Sequence, residues 1–199
     1  MARALSMATF ERPARRVTFT VKRIPGGALS AWLGVDISGA AVRLSGPLGK
    51  ATFEPGDAHD LLVVAGGSGL GPMLSILARE QACGHLARHA GHIFFGVRTA
   101  DDLYGMDQLA VLAAEFEDSV RLTVVLSDEV APSAVTAQWP AIRFSEGLVH
   151  EAALREQAGA FGDALVYMAG PPPMVDAGLR SLVTEARIPP ARIRFDRFS

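Results

Sequence analysis

Cysteine is almost absent from this sequence, and long apolar runs are missing altogether. The single cysteine, Cys83, excludes an intrachain disulfide and a four-cysteine iron–sulfur site within the chain. No apolar run is long enough to cross a bilayer, and the first residues lack the continuous apolar stretch of a signal peptide. We therefore expect a cytoplasmic protein that does not enter a membrane.

Lysine is scarce and asparagine is missing, so arginine carries nearly all of the basic charge. Only Lys22 and Lys50 are lysines, and 19 Lys and Arg residues face 21 Asp and Glu residues for a net charge of -2. This balance argues against a general nucleic-acid-binding protein. The chain has 199 residues, 49% of them hydrophobic, which is enough for one large domain or two small ones.

Residues 61–74, LLVVAGGSGLGPML, form the most informative segment. Its four leading apolar residues predict a strand that is buried on both faces, and a helical pattern follows Pro72. The glycines between them would let an anion approach the backbone, and the free N–H groups of a helix start attract anions. The spacing matches neither G-x-G-x-x-G nor a Walker loop. An ordinary tight turn of an α/β fold remains the alternative.

The first 56 residues show a different pattern. Residues 15–23 alternate between apolar and polar types, which predicts a half-buried antiparallel strand. A turn at 25–27 leads to a short helix over 28–33, and residues 41–44 predict another strand. Because segment 54–60 is polar and rich in turn residues, we expect two domains, residues 1–56 and residues 57–199.

Strands and helices alternate over the second domain. The patterns predict strands at 61–65, 93–95, 120–126, 164–168 and 193–195, and helices at 72–83, 106–117, 148–158 and 173–186. This alternation predicts a five-stranded parallel sheet with helices on both faces. The fold class is therefore an α/β nucleotide-binding domain preceded by a partial antiparallel β-barrel.

Four unusual segments follow the ends of these strands, at residues 66–71, 96–98, 127–128 and 170–174. Ligands of such sheets bind beyond the carboxyl ends of the strands. Four loops that converge on one edge predict a ligand site there.

Seven short motifs occur in one order along the chain. Residues 3–6 (RALS), 26–30 (GGALS) and 46–49 (GPLG) are similar to R-x-Y-S, G-G-x-x-S and G-P-x-G. Residues 65–73 (AGGSGLGPM), 96–103 (GVRTADDL) and 169–174 (AGPPPM) are similar to A-G-G-T-G-I-A-P-M, G-x-R-x-x-x-D-L and C-G-P-P-P-M. Residues 194–198 (RFDRF) are similar to an acidic–x–aromatic ending. Together they resemble the ferredoxin–NADP reductase superfamily, and most of all the reductase components of bacterial aromatic-ring oxygenases.

The resemblance implies that NADH passes a hydride to FAD, which releases single electrons to an iron–sulfur protein or oxygenase component. It places Ser6 and Ala169 next to the reacting atoms and implies no bound metal. For FAD it implies contacts from Arg3, Leu5, Ser6, Gly26, Gly27, Ser30, Asp196 and Phe198. For NADH it implies contacts from Gly67, Ser68, Gly69, Pro72, Arg98, Ser127, Asp128, Gly170, Pro171 and Met174. A carboxylate at Asp128 would favour NADH over NADPH, because it repels a 2′-phosphate.

Three departures from the family pattern weaken these expectations. Leu5 stands where the family has a stacking aromatic residue, and Ala169 stands where it has a cysteine. The chain also begins at the flavin motif, which barrel strands precede in the family. We therefore expect exposed strand edges in residues 1–56, which favour self-association or completion by another chain. A non-catalytic dinucleotide-binding or interaction module that has lost flavin is the alternative function.

Two further features leave alternatives open. Cys83, His85, His89 and His92 could share a metal, but glycines interrupt the helix there, so we favour a solvated helix end. Arg98 follows a predicted strand directly. It could contact a ligand, or it could form an ion pair with a nearby aspartate.

Overall fold

A parallel sheet forms the centre of the computed structural model, which describes residues 2–54, 56–156 and 163–198. Six strands run through the described residues in the order β4-β3-β2-β1-β5-β6, and every neighbouring pair is parallel. The parallel α/β sheet is confirmed, whereas the predicted count of five strands is wrong. The strands are β1 (Asp60–Gly66), β2 (Gly91–Val97), β3 (Val120–Leu126), β4 (Arg143–Glu146), β5 (Ala164–Gly170) and β6 (Ile193–Arg197).

The additional strand, β4, lies at the edge of the sheet and has four residues. All four are exposed or half-buried, so the strand lacks the apolar run by which buried strands are predicted. It pairs with β3 and follows a short helix that the pattern also missed.

Helices cover both faces of the sheet, as predicted. Leu61 and Val63 of β1 pack in one core cluster with residues of α2 and α3, while Leu62 and Val64 pack in a second cluster with α5 and α6. This alternation explains the run of buried residues in β1. The last two residues of the predicted helix 148–158 lie outside the described residues. The helices are α1 (Ala28–Trp32), α2 (Leu70–Ala82), α3 (Met106–Glu115), α4 (Ser133–Gln138), α5 (Val149–Glu156) and α6 (Pro172–Thr184).

Residues 2–54 contain little regular structure. Besides α1, one isolated antiparallel bridge joins Met7 to Phe19. The strands predicted at 15–23 and 41–44 are not formed, and the partial barrel is not seen in the described residues. A strand needs a neighbour that completes its hydrogen bonds, and Val42 and Leu44 instead remain 63% and 64% exposed.

The N-terminal segment lies along α2. Ser75 Oγ donates a hydrogen bond to the carbonyl of Thr9 at 2.9 Å, and the Arg79 guanidinium lies 4.8 Å from the centre of the Phe10 ring. A Cβ at Gly71 would lie 3.1 Å from Thr20 Cβ and 3.5 Å from Ala8 Cβ, so the segment also reaches the glycine-rich end of β1.

The opposite end of the sheet holds a buried polar cluster. His85 is 3% exposed, stacks on His89 at 4.4 Å and donates from Nε2 to the carbonyl of His59, so the predicted solvated helix end is wrong. Burial, with a smaller contribution from His89, lowers the pKa of His85. Glu80 is fully buried, and its carboxylate oxygens have no hydrogen-bond partner in the described residues. Burial, strengthened by the charge of Asp57, raises the pKa of Glu80 to about 8.

The described ranges hold no group of three or more His, Cys, Asp and Glu residues that could bind a metal. None of their helices is long and apolar enough to cross a membrane.

Candidate functional site

The glycine loop, residues 66–71, joins β1 to α2 at the carboxyl edge of the sheet. Gly67–Gly69 form one 3-10 turn, and α2 begins at Leu70. Gly67 has a φ of 51°, and a Cβ at this position would meet no atom within 4 Å. Ser68 and Pro72 are half-buried beside it. The loop therefore leaves space for an anion next to the first turn of a helix.

A second loop packs against the glycine loop; it comprises residues 170–174, which run from the end of β5 into the first turn of α6. A Cβ at Gly69 would lie 2.1 Å from the carbonyl oxygen of Ala169, and one at Gly66 would lie 2.4 Å from Met174 Sδ. Gly69 was predicted as a nucleotide contact. The structure shows that glycine is needed here because a side chain would collide with the backbone of the second loop. Pro171 is exposed next to this contact. The two loops end neighbouring strands on either side of the point where the sheet order reverses, which is where such sheets bind ligands.

Tyr104 holds the glycine loop, a role that the sequence analysis did not predict. Its hydroxyl donates to the carbonyl of Gly67 and accepts from the N–H of Gly71, both at 3.1 Å. The ring packs edge-on against Phe95 at 5.7 Å. Burial raises the pKa of Tyr104 to about 12, so the hydroxyl keeps the proton that it donates. The one sequence signal is its position directly after the GVRTADDL motif.

Arg98 and Asp128 form an ion pair beyond the ends of β2 and β3. Asp128 Oδ2 accepts from Arg98 Nε at 2.9 Å and lies 2.8 Å from Nη2, while Ser127 Oγ donates to Oδ1 at 2.6 Å. Hydrogen bonds from Ser127, and then from Arg98, lower the pKa of Asp128. The structure thus brings together three residues that were predicted to contact NADH, and it contains the ion pair that was the alternative for Arg98.

Ser6 and Asp196 meet although they are 190 residues apart, with Ser6 Oγ donating to Asp196 Oδ2 at 2.7 Å. Asp196 is paired in register with Ala169 of β5, and the N–H of Phe198 donates to the carbonyl of Gly170 at 2.9 Å. The first motif, the last motif and the end of β5 are therefore neighbours. Ala169 itself is fully buried.

The other residues predicted for flavin make local contacts. Arg3 Nη1 donates to the carbonyl of the preceding residue, and Leu5 is 42% exposed. Ser30 Oγ accepts a hydrogen bond from the N–H of Ile24 at 2.8 Å. An open depression of about 330 Å³ is lined by residues that include Arg23, Gly26, Gly27 and Ser30.

Comparison with known proteins gives consistent matches. The family described as Oxidoreductase NAD-binding domain matches residues 63–179. The propane 2-monooxygenase reductase component of Rhodococcus jostii is 33% identical over 198 residues, which cover 99% of this chain and 51% of that protein. The ferredoxin–NAD(+) reductase component of the Xanthobacter autotrophicus alkene monooxygenase system is 36% identical over 211 residues, with 98% and 57% covered. A solved ferredoxin reductase in carbazole 1,9a-dioxygenase has a TM-score of 0.76 at 28% identity, with 99% of this chain and 55% of that chain covered.

The sheet order and the glycine loop define the class: a doubly wound α/β domain, a fold whose ligands bind at the switch point of the sheet. The chain belongs to the oxidoreductase NAD-binding domain family, because that family matches more than half of its residues. The resemblance to ferredoxin–NADP reductases is confirmed. The chain spans about half the length of the curated relatives it matches.

Proposed function

We propose that the chain transfers a hydride from NADH to FAD and passes electrons to an iron–sulfur or oxygenase component. The hydrogen bond between Ser6 and Asp196 carries the proposal, because it holds the flavin motif beside β5, whose loop packs on the glycine loop. FAD, when bound, accepts a hydride and releases electrons singly. The names of the relatives, reductase components of monooxygenase systems, support this function.

Residues 57–199 would bind NADH. The open space at Gly67 fits a pyrophosphate, and the half-buried Ser68 can donate a hydrogen bond to it. Asp128 would accept hydrogen bonds from the adenosine ribose and so favour NADH, with Ser127 fixing its carboxylate. The nicotinamide half would lie along Gly69, Pro72, Gly170, Pro171 and Met174.

Residues 1–56, with the C-terminal strand, would bind FAD. The depression at Gly26 and Gly27 is open, and Arg23 places a cation at its wall, which suits a pyrophosphate. Ser30 accepts from a backbone N–H and keeps its own proton for a phosphate oxygen. Toward the flavin ring and its phosphates, the proposed contacts are Arg3, Leu5, Ser6, Asp196 and Phe198.

Gly67→Ala tests the dinucleotide site. The new methyl group would fill the open space, so we expect NADH affinity to fall about tenfold, or about 1.4 kcal/mol. Gly39→Ala is the matched control, because Gly39 also has a positive φ, 79°, and open surroundings but lies outside the site. Calorimetric titration measures both variants. Equal affinities for NADH in the two variants would contradict the proposed location.

Flavin binding is tested on the purified protein. We expect FAD titration to give a flavin absorption spectrum, and NADH under anaerobic conditions to bleach it. Failure of NADH to reduce bound flavin would overturn the hydride transfer.

A non-catalytic module is the second candidate, and the burial of Ala169 favours it. The family places a cysteine there against the nicotinamide, whereas this methyl group is 0% exposed. A protein that binds NADH and takes up no FAD would support this candidate over the enzyme.

The exposed apolar side chains of residues 2–54 would mediate self-association or be covered by a partner chain. Leu48→Glu places a charge among these exposed apolar side chains and should shift the sedimentation profile toward monomer. Val111→Glu places the same charge on α3, outside residues 2–54, and should leave the profile unchanged. A parent protein that sediments as a monomer at all concentrations would refute self-association. The surface comprises Leu5, Met7, Val17, Ile24, Trp32, Val35, Val42, Leu44 and Leu48.

A further inference from the structure

The carboxylate expected to read the ribose is already engaged. Two nitrogens of Arg98 lie on Asp128 Oδ2, and the Ser127 hydroxyl donates to Oδ1. A free carboxylate could accept bonds from both ribose hydroxyls, one at each oxygen. In this arrangement each oxygen of Asp128 has already accepted at least one hydrogen bond.

The charges at this position also cancel. A bare aspartate would repel a 2′-phosphate, but the guanidinium of Arg98 neutralises it at less than 3 Å. Arginine is in addition the side chain best suited to pair with a phosphate, because its planar fork offers several donors.

The backbone that carries the pair is fixed, whereas the side chains are open to solvent. The N–H groups of Ser127 and Asp128 donate to the carbonyls of Val97 and Arg98, both at 3.0 Å, which extends the pairing of β2 with β3. The side chains of Arg98 and Asp128 are 75% and 38% exposed. The guanidinium can therefore leave the carboxylate for a ligand without a change in the strands.

We propose that Arg98 is a specificity-determining residue, which limits the preference for NADH by neutralising Asp128 and offers its guanidinium to a 2′-phosphate. The inference rests on the proposed dinucleotide site. Loss of Asp128 and loss of Arg98 should therefore shift the selectivity between NADH and NADPH in opposite directions. Removal of the Asp128 charge frees Arg98 for the phosphate, and removal of the Arg98 charge leaves Asp128 to repel it.

Adenosine fragments test the inference without flavin or turnover. Calorimetric titration of 5′-AMP and 2′,5′-ADP gives a ratio of dissociation constants for each variant. We expect Asp128→Asn to shift this ratio about tenfold toward 2′,5′-ADP, and Arg98→Gln to shift it about tenfold toward 5′-AMP. The double variant should fall between them. Arg143→Gln is the matched control, because Arg143 is also exposed and ion-paired, with Glu156, but lies in β4.

Two results overturn the inference in distinguishable ways. If the parent binds both fragments but the ratio changes less than twofold in Arg98→Gln, Arg98 does not set selectivity and the proposed function stands. If the parent binds neither fragment nor NADH, the proposed dinucleotide site is wrong and the inference falls with it.

Discussion

Replacing Glu80 with glutamine should remove the pH dependence of stability that this carboxyl group causes. Glu80 is fully buried in α2, and its carboxylate has no hydrogen-bond partner in the described part of the chain. Burial, with Asp57 nearby, raises the pKa of this carboxyl from 4.5 to about 8. The folded state therefore holds a proton that the unfolded state releases, so stability must fall as the pH rises from 4.5 to about 8.

The size of the effect follows from the two pKa values. Each pH unit between them contributes about 1.4 kcal/mol, so the ionised carboxylate destabilises the fold by about 5 kcal/mol above pH 8. Near pH 5 the same group costs less than about 1 kcal/mol. Glutamine does not ionise, and its unpaired amide costs the same at every pH. The difference in unfolding free energy between Glu80→Gln and the parent should therefore increase by about 4 kcal/mol, in favour of the variant, as the pH rises from about 5 to above 8.

Urea denaturation of both proteins, at several values from about pH 5 to about pH 9, measures this difference. Other titrating groups, including His85, are common to the two proteins and cancel in the subtraction. Glu117→Gln controls for the change in net charge, because Glu117 is exposed. Parallel stability curves for Glu80→Gln and the parent would refute the reasoning.

Three further changes test the contacts of the site. Tyr104→Phe keeps the ring but removes both hydrogen bonds to the glycine loop. It should lower the unfolding free energy measured in urea by about 1–2 kcal/mol and weaken NADH binding. If neither value changes, the glycine loop keeps its conformation without these hydrogen bonds. Gly69→Ala drives a methyl group into the carbonyl of Ala169 and should cost more than about 3 kcal/mol, well beyond the cost of Gly67→Ala in the same assay. Ser6→Ala removes a bond to the C-terminal strand and should speed amide hydrogen exchange in residues 4–8 but not in β1; no change near Ser6 would mean that other contacts hold this segment.

The central sheet could be predicted because its strands are buried on both faces. β1 and β3 appear in the sequence as apolar runs, and the glycine loop after β1 is recognisable by composition. β4 could not be found in this way, since its residues are exposed or half-buried and only its pairing with β3 makes it a strand. The strands predicted at 15–23 and 41–44 are not formed for the converse reason: their alternation of apolar and polar residues does not supply a pairing partner.

The site was predictable where residues follow strand ends and unpredictable where side chains cross between elements. The pairing of Arg98 with Asp128 depends on β2 and β3 being neighbours, which the sequence left open. Tyr104 reaches the glycine loop across 33 and 37 residues, and no local pattern encodes that contact. Glu80 lies on a helix, but its complete burial depends on what packs over α2.

The hydrogen bond between Ser6 and Asp196 also dictates an order of events during protein synthesis. Ser6 is made 190 residues before its partner. Until β6 has joined the sheet, the N-terminal segment lacks this hydrogen bond, and its exposed apolar side chains are not held near the sheet. The central strands can pair before that moment, but the two halves of the site cannot meet. The two halves of the site therefore assemble only after β6 has joined the sheet, and until then the exposed apolar side chains of residues 2–54 need protection from aggregation.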